Sequence, residues 1–122
     1  MKQLAYPMIA GLVLMTASHA WSQNEAPASK ADEADLAFEE SIRDFGYLSG
    51  AALQCLPQGA GRLQHEREVL KAYDGLVRLF GSDRAFYYAA AFGAGSVDAI
   101  DKSKCSDYKE KFSAAMKSSR KQ

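Results

Sequence analysis

Cys55 and Cys105 are the only two cysteines in the chain. Thiols of this kind can form a disulfide, a metal site or a nucleophile. A zinc site asks for C-x-x-C pairs or neighbouring histidines, and two cysteines 50 positions apart offer neither. A Cys–His or Ser–His nucleophile needs a histidine as its base. Past the first 20 residues the chain has one, His65, in "LQHEREVL" between Gln64 and Glu66. That setting reads as the charged side of a helix, so His65 is expected at the surface. In an exported protein an even cysteine count predicts a disulfide, and two cysteines permit only one. A Cys55–Cys105 bond would close a loop of about 50 residues, worth roughly 4 kcal/mol in the chain-entropy account.

Other catalytic arrangements are missing from the sequence. "GAGS" at 93–96 has no strand before it, as a phosphate-binding glycine loop requires. There is no C-x-x-C-H for haem and no acidic calcium loop. The carboxylates of "DEADLAFEE" fit an exposed first helical turn. No acid, base and nucleophile can be assembled, so the expectation is a binding protein and not an enzyme, without cofactor or metal.

The elements that must position these residues begin after an export signal. "MKQLAYPMIAGLVLMTASHA" has a basic start at Lys2, an apolar run from Leu4 to Ala17, and small residues at Ser18 and Ala20. This is the layout of a signal peptide, with cleavage expected after Ala20. The run is shorter than the roughly 20 residues of a membrane span, and no cysteine follows it as in a lipoprotein. The expected location is the periplasm or outside the cell, with membrane contact only through an uncleaved signal. Residues 21–30 read as a disordered leader, 31–118 as one helical domain and 119–122 as a frayed tail.

The 15 basic and 15 acidic side chains cancel, which argues against a nucleic-acid partner. They are unevenly placed. Residues 21–44 hold seven acids against Lys30 and Arg43, and residues 102–122 hold seven bases against Asp107 and Glu110. Either two helices of opposite sign lie side by side, or Lys109, Lys111 and Lys117 form a basic face for an anionic partner or membrane surface.

The pattern predicts an all-α domain of four helices. The first starts near residue 31, with Ser29 or Asp32 as its cap, and carries Leu36, Phe38, Ile42, Phe45, Ala52, Leu53 and Leu56 at helical spacing. It stops before Pro57. Within it Gly46, Ser49 and Gly50 mark a face where another backbone can come close. The second runs from about Arg62 to Phe80, with Leu63, Leu70, Tyr73, Val77 and Phe80 as its apolar stripe, widened by Val69 and Leu76. The third, "DRAFYYAAAFGAG", is capped by Ser82, is apolar nearly all round and ends at Gly93 and Gly95. Such a helix sits mid-domain or against a partner. The last begins near Ser103 or Ser106 and carries Tyr108, Phe112, Ala115 and Met116.

Gly46, Tyr47, Gly50, Cys55, Pro57, Tyr73 and Cys105 fall in an order that resembles the small exported immunity proteins of the Rap/Tai type. The chain departs from that pattern in having no cysteine near position 45 and a longer spacing before Cys105. The resemblance implies a protein that neutralises a cell-wall amidase delivered by a rival bacterium. The size, helicity and single long disulfide loop are also similar to the HdeA type of periplasmic acid-stress chaperone. The expected partner is therefore a protein, with a cell-wall-degrading toxin as the candidate, and a homodimer stays open. Its contact surface is expected on the aromatic helix, at Arg84, Phe86, Tyr87, Tyr88 and Phe92, because tyrosine and arginine are enriched at binding hot spots.

Overall fold

The computed structural model describes residues 29–121. The expected signal peptide, its expected cut site and most of the expected leader lie outside the described residues. Among the described residues there are four α-helices and no strand: α1 (Lys30–Gln54), α2 (Ala60–Phe80), α3 (Ser82–Val97) and α4 (Cys105–Arg120), with a 3₁₀ turn at Lys102–Lys104 before α4. None is long and apolar enough to cross a membrane.

Both residues considered as the cap of α1 take part in it. The Ser29 side chain accepts from the Asp32 amide at 3.2 Å, and the Asp32 carboxylate accepts from the Ser29 amide at 3.1 Å. Two orphan donors of the first turn are satisfied at once. The Ser29 hydrogen bonds hold the Asp32 carboxyl below its ordinary value. The other end of α1 is closed by its neighbours. Lys102 Nζ reaches the Gln54 carbonyl at 3.3 Å, and Gln54 Nε2 donates to the Gly95 and Asp98 carbonyls at 2.7 and 2.8 Å. The last carbonyls of α1 and α3 thus find partners across the helix interface.

The centre is the α1–α3 pair, and α3 in turn packs against α2; α1 is the helix that meets all three others. The close α1–α3 approach explains the small residues of both helices. A Cβ at Gly46 would run into the Tyr88 carbonyl, one at Gly50 into the Phe92 carbonyl, and one at Gly95 into the Tyr47 carbonyl. Gly93 and Gly95 therefore do not end α3, which continues to Val97. Gly95 is a packing residue inside it. Its counterpart outside the packing is Gly81, which joins α2 to α3 alone, at φ +88°, a conformation that favours glycine. Gly81, and not Ser82, is also the N-cap of α3.

The core gathers Ile42, Ala52, Val69, Tyr88, Phe112 and Met116, with Phe38, Phe45, Leu48 and Leu76 packed against them. Phe45 lies 5.2 Å from the Tyr88 ring and 5.9 Å from the Phe112 ring, so three helices meet around it. The apolar stripe expected on α2 is rotated in the structure. His65, Val69, Ala72 and Leu76 face inward, while Leu63 and Leu70 are 55% and 67% exposed. Cys55 and Cys105 are bonded, with Cα atoms 5.5 Å apart. The bond fixes the start of α4 to the end of α1.

Candidate functional site

The five residues expected to form a contact surface point in different directions, because successive helical residues turn by about 100°. Phe86 is 64% exposed, whereas Tyr88 is 1% exposed and belongs to the core. Tyr87 is half-buried beneath Arg43, whose guanidinium carbon stands 4.2 Å from the ring centre. Arg84 is also engaged, at 3.3 Å from the Asp35 carboxylate and 5.3 Å above the Phe38 ring. Phe92 is half-buried and packs on the core. Of the five, Phe86 alone is offered freely to a partner.

What Phe86 belongs to is a longer stripe. Phe86, Ala89, Ala90, Gly93, Ala94 and Val97 are all exposed, at spacings of 3, 4, 7, 8 and 11 from Phe86. These spacings define one helix face. Between Arg84 and Asp98 α3 carries no charged residue at all. The stripe was readable as a period, but alanine and glycine are also what a core helix uses for close packing. The opposite face of α3 does so, with Ala85, Tyr88 and Gly95 buried.

Beneath this face runs a buried polar chain that ties three helices. Tyr88 Oη donates to Ser49 Oγ at 2.9 Å, and Ser49 Oγ donates to the Phe45 carbonyl at 2.7 Å. The Ser49 carbonyl receives His65 Nε2 at 2.8 Å. A carbonyl only accepts, so that nitrogen carries the hydrogen. His65 is thus not a surface residue: it is 7% exposed, with its ring 4.3 Å from that of Phe112. Its neighbours Gln64 and Glu66 misplace it in the sequence. The spacing that matters is four residues to Val69, which brings both to the core face.

A serine, a histidine and a tyrosine within one cluster resemble a nucleophile with its base, but the connections are wrong for one. His65 binds the main-chain oxygen of Ser49, and the hydroxyl is directed to another carbonyl. Ser49 is fully buried, so no substrate reaches it. Burial pushes the Tyr88 hydroxyl up to about 12, only partly offset by its hydrogen bond to Ser49. Such a phenol stays protonated and acts as a donor that fixes helix register. Among the described residues no three His, Cys, Asp or Glu side chains converge as metal ligands would.

No family model, curated protein or solved structure matches the chain.

The basic residues of α4 do not form one face. Lys109 and Lys117 lie on one side and Lys111 on the other, by the same 100° turn. Lys111 Nζ sits 2.9 Å from the Asp107 carboxylate, whose hydrogen bond raises the Lys111 pKa. The acidic start of α1 is not laid against α4 through ion pairs either. Arg120 at the end of α4 instead meets Glu68 of α2 at 3.3 Å. The tail expected to fray from 119 is helical through Arg120.

Proposed function

We propose that this chain is a small exported helical binding protein, an inhibitor or immunity-type module that engages a protein partner in the periplasm through the outer face of α3. The observation that carries the reading is the uncharged exposed stripe from Phe86 to Val97. A solvated helix face ordinarily carries charges, as the outer face of α2 does at Arg67, Asp74 and Arg78. Here the side chains between the two ends are short, so a partner backbone can lie close along the helix. Phe86 and Val97, 64% and 80% exposed, stand at either end of that flat strip, about 16 Å apart along the axis.

The support for this reading is physical. Contact with the stripe buries no charge and leaves little polar surface unpaired. The stripe is presented on a helix clamped to α1 at three glycines, so binding orders little new backbone. The disulfide and the amino-terminal pattern support export, since such bonds persist in oxidising compartments. The likeness to the Rap/Tai type supports a cell-wall-degrading amidase as the class of partner.

The test is inhibition of a peptidoglycan amidase by the purified oxidised chain. A 1:1 complex and loss of activity are expected, and Ala90→Arg in the middle of the stripe is expected to weaken inhibition at least tenfold without unfolding the domain. Wild-type chain that leaves such amidases fully active would remove the immunity reading. Inhibition undiminished by Ala90→Arg would move the surface away from α3.

A further inference from the structure

A second surface, separate from α3, lies between α2 and α4. These helices diverge and leave an open groove of about 1360 Å³. Its apolar lining includes Phe45, Leu76, Leu79 and Met116, and Leu79 is 73% exposed. Its edges carry Lys71, Arg78 and Arg120. Glu68 is shared between Lys71 at 3.6 Å and Arg120 at 3.3 Å, and Arg78 is paired with Asp74 at 3.8 Å, so three cations meet two acids and the groove keeps a small positive balance. From Glu68 to Phe80 it follows α2 for about 18 Å.

The complementary shape occurs on the same chain. Every residue from Ser29 to Ala37 is exposed, so the first two turns of α1 form an arm outside the core. On this arm Leu36 is 60% exposed. Asp32, Glu33, Glu39 and Glu40 stand at −4, −3, +3 and +4 from it, the four helical neighbours of one position. An exposed leucine ringed by four carboxylates matches an apolar groove edged by three cations. The stretch from Lys30 to Glu40 is about 15 Å long, a little shorter than the groove.

We propose that the arm of one copy of this chain docks in the α2–α4 groove of another, with Leu36 on the apolar floor and the surrounding carboxylates on Lys71, Arg78 and Arg120. The geometry sets the kind of assembly. Leu36 and the floor residue Phe45 are nine positions apart on α1, about half a turn out of phase. The arm face and the groove therefore look in opposite directions. A two-fold dimer needs both on the same side of the molecule. The contact is instead head-to-tail, with each copy giving its arm to one neighbour and its groove to another, in a ring or an open chain. The ionic part makes assembly depend on salt. The inference does not rest on the α3 reading.

The experiment is sedimentation of the oxidised chain over a concentration series, up to roughly 0.5 mM, where weak contacts become populated. At low salt, species larger than a dimer are expected, with association weakened at least tenfold at about 0.5 M salt, where charges are screened within a few ångströms. Leu36→Asp and Leu79→Asp, both at exposed positions, should each be monomeric and as stable as the parent. Mixed, they should stop at a 1:1 heterodimer, because one retains only a working groove and the other only a working arm. A chain that is monomeric throughout overturns the proposal. So does a dimer that survives either substitution, or assembly abolished by Ala90→Arg on α3.

Discussion

Gly50→Ala adds one methyl group where α1 and α3 touch backbone to backbone. The new Cβ would meet the Phe92 carbonyl oxygen, and would stand 2.5 Å from the Ser96 nitrogen and 2.8 Å from the Gly95 carbonyl carbon. All three are main-chain atoms of α3 and cannot rotate aside. Restoring an ordinary contact of about 3.5 Å requires the helices to part by roughly 1 Å. That shift also reaches the neighbouring Tyr88–Ser49 hydrogen bond, now 2.9 Å, and stretches it beyond useful range. Overpacking costs about 1–3 kcal/mol, and a buried hydroxyl left without its partner about 1–3 kcal/mol more. Alanine returns up to about 1 kcal/mol of helix propensity. The net expectation is a loss of about 3 kcal/mol, or roughly 12–24 °C in Tm for a domain of this size.

Gly93→Ala is the matched control. It lies in the same helix with nothing within 4 Å of its added Cβ, so only the propensity gain remains, about 0.5–1 kcal/mol. Urea and thermal unfolding followed by circular dichroism read both. Opposite signs are expected for the two variants. A Gly50→Ala domain as stable as the parent would refute the close α1–α3 contact.

Three further outcomes follow from the structure. Replacing Cys55 and Cys105 by serine should cost about 4 kcal/mol, read as a falling Tm, with α4 released first because the bond holds its amino-terminal end to α1. Tyr88 has a folded pKa of about 12 against 10.0 for the free side chain, so its contribution is complete below about pH 10 and is lost as pH rises through 12; two units correspond to about 2–3 kcal/mol. Urea titrations at about pH 9 and pH 11.5 should show that fall in the parent and a smaller one in Tyr88→Phe, and equal slopes would contradict it. Phe86→Asp should change stability by less than about 0.5 kcal/mol, as a substitution at an exposed site does, whereas a large loss would place Phe86 in the core.

The helices and the disulfide were legible in the sequence because each has a local cause. Ser29 and Asp32 announce the start of α1, Pro57 ends it, and two cysteines admit a single pairing. What was not legible depends on where one helix meets another. Leu63 and Leu70 outweigh His65 and Ala72 in any apolar count, yet the smaller pair faces the core. The reason is the register of α2, which lets His65 reach the Ser49 carbonyl and pack, tilted, against Phe112. Gly95 reads as a helix stop, and only the nearness of Tyr47 shows it to be a contact. On α3 the large aromatics drew the expectation, whereas half of the exposed face is alanine. Alanine serves a buried contact and an open one equally well, so its period alone does not say which face is which.

The most direct test of the α3 surface is site-specific photocrosslinking of the purified oxidised chain mixed with a peptidoglycan amidase. A photoreactive phenylalanine analogue at position 86 or 90 would sit on the exposed stripe, and one at position 67 on the charged face of α2. The expected result is a discrete crosslinked protein from positions 86 and 90, absent from 67 and lost when Gly93→Arg is added. The same products from all three positions, or none from the stripe, would contradict a binding role for α3.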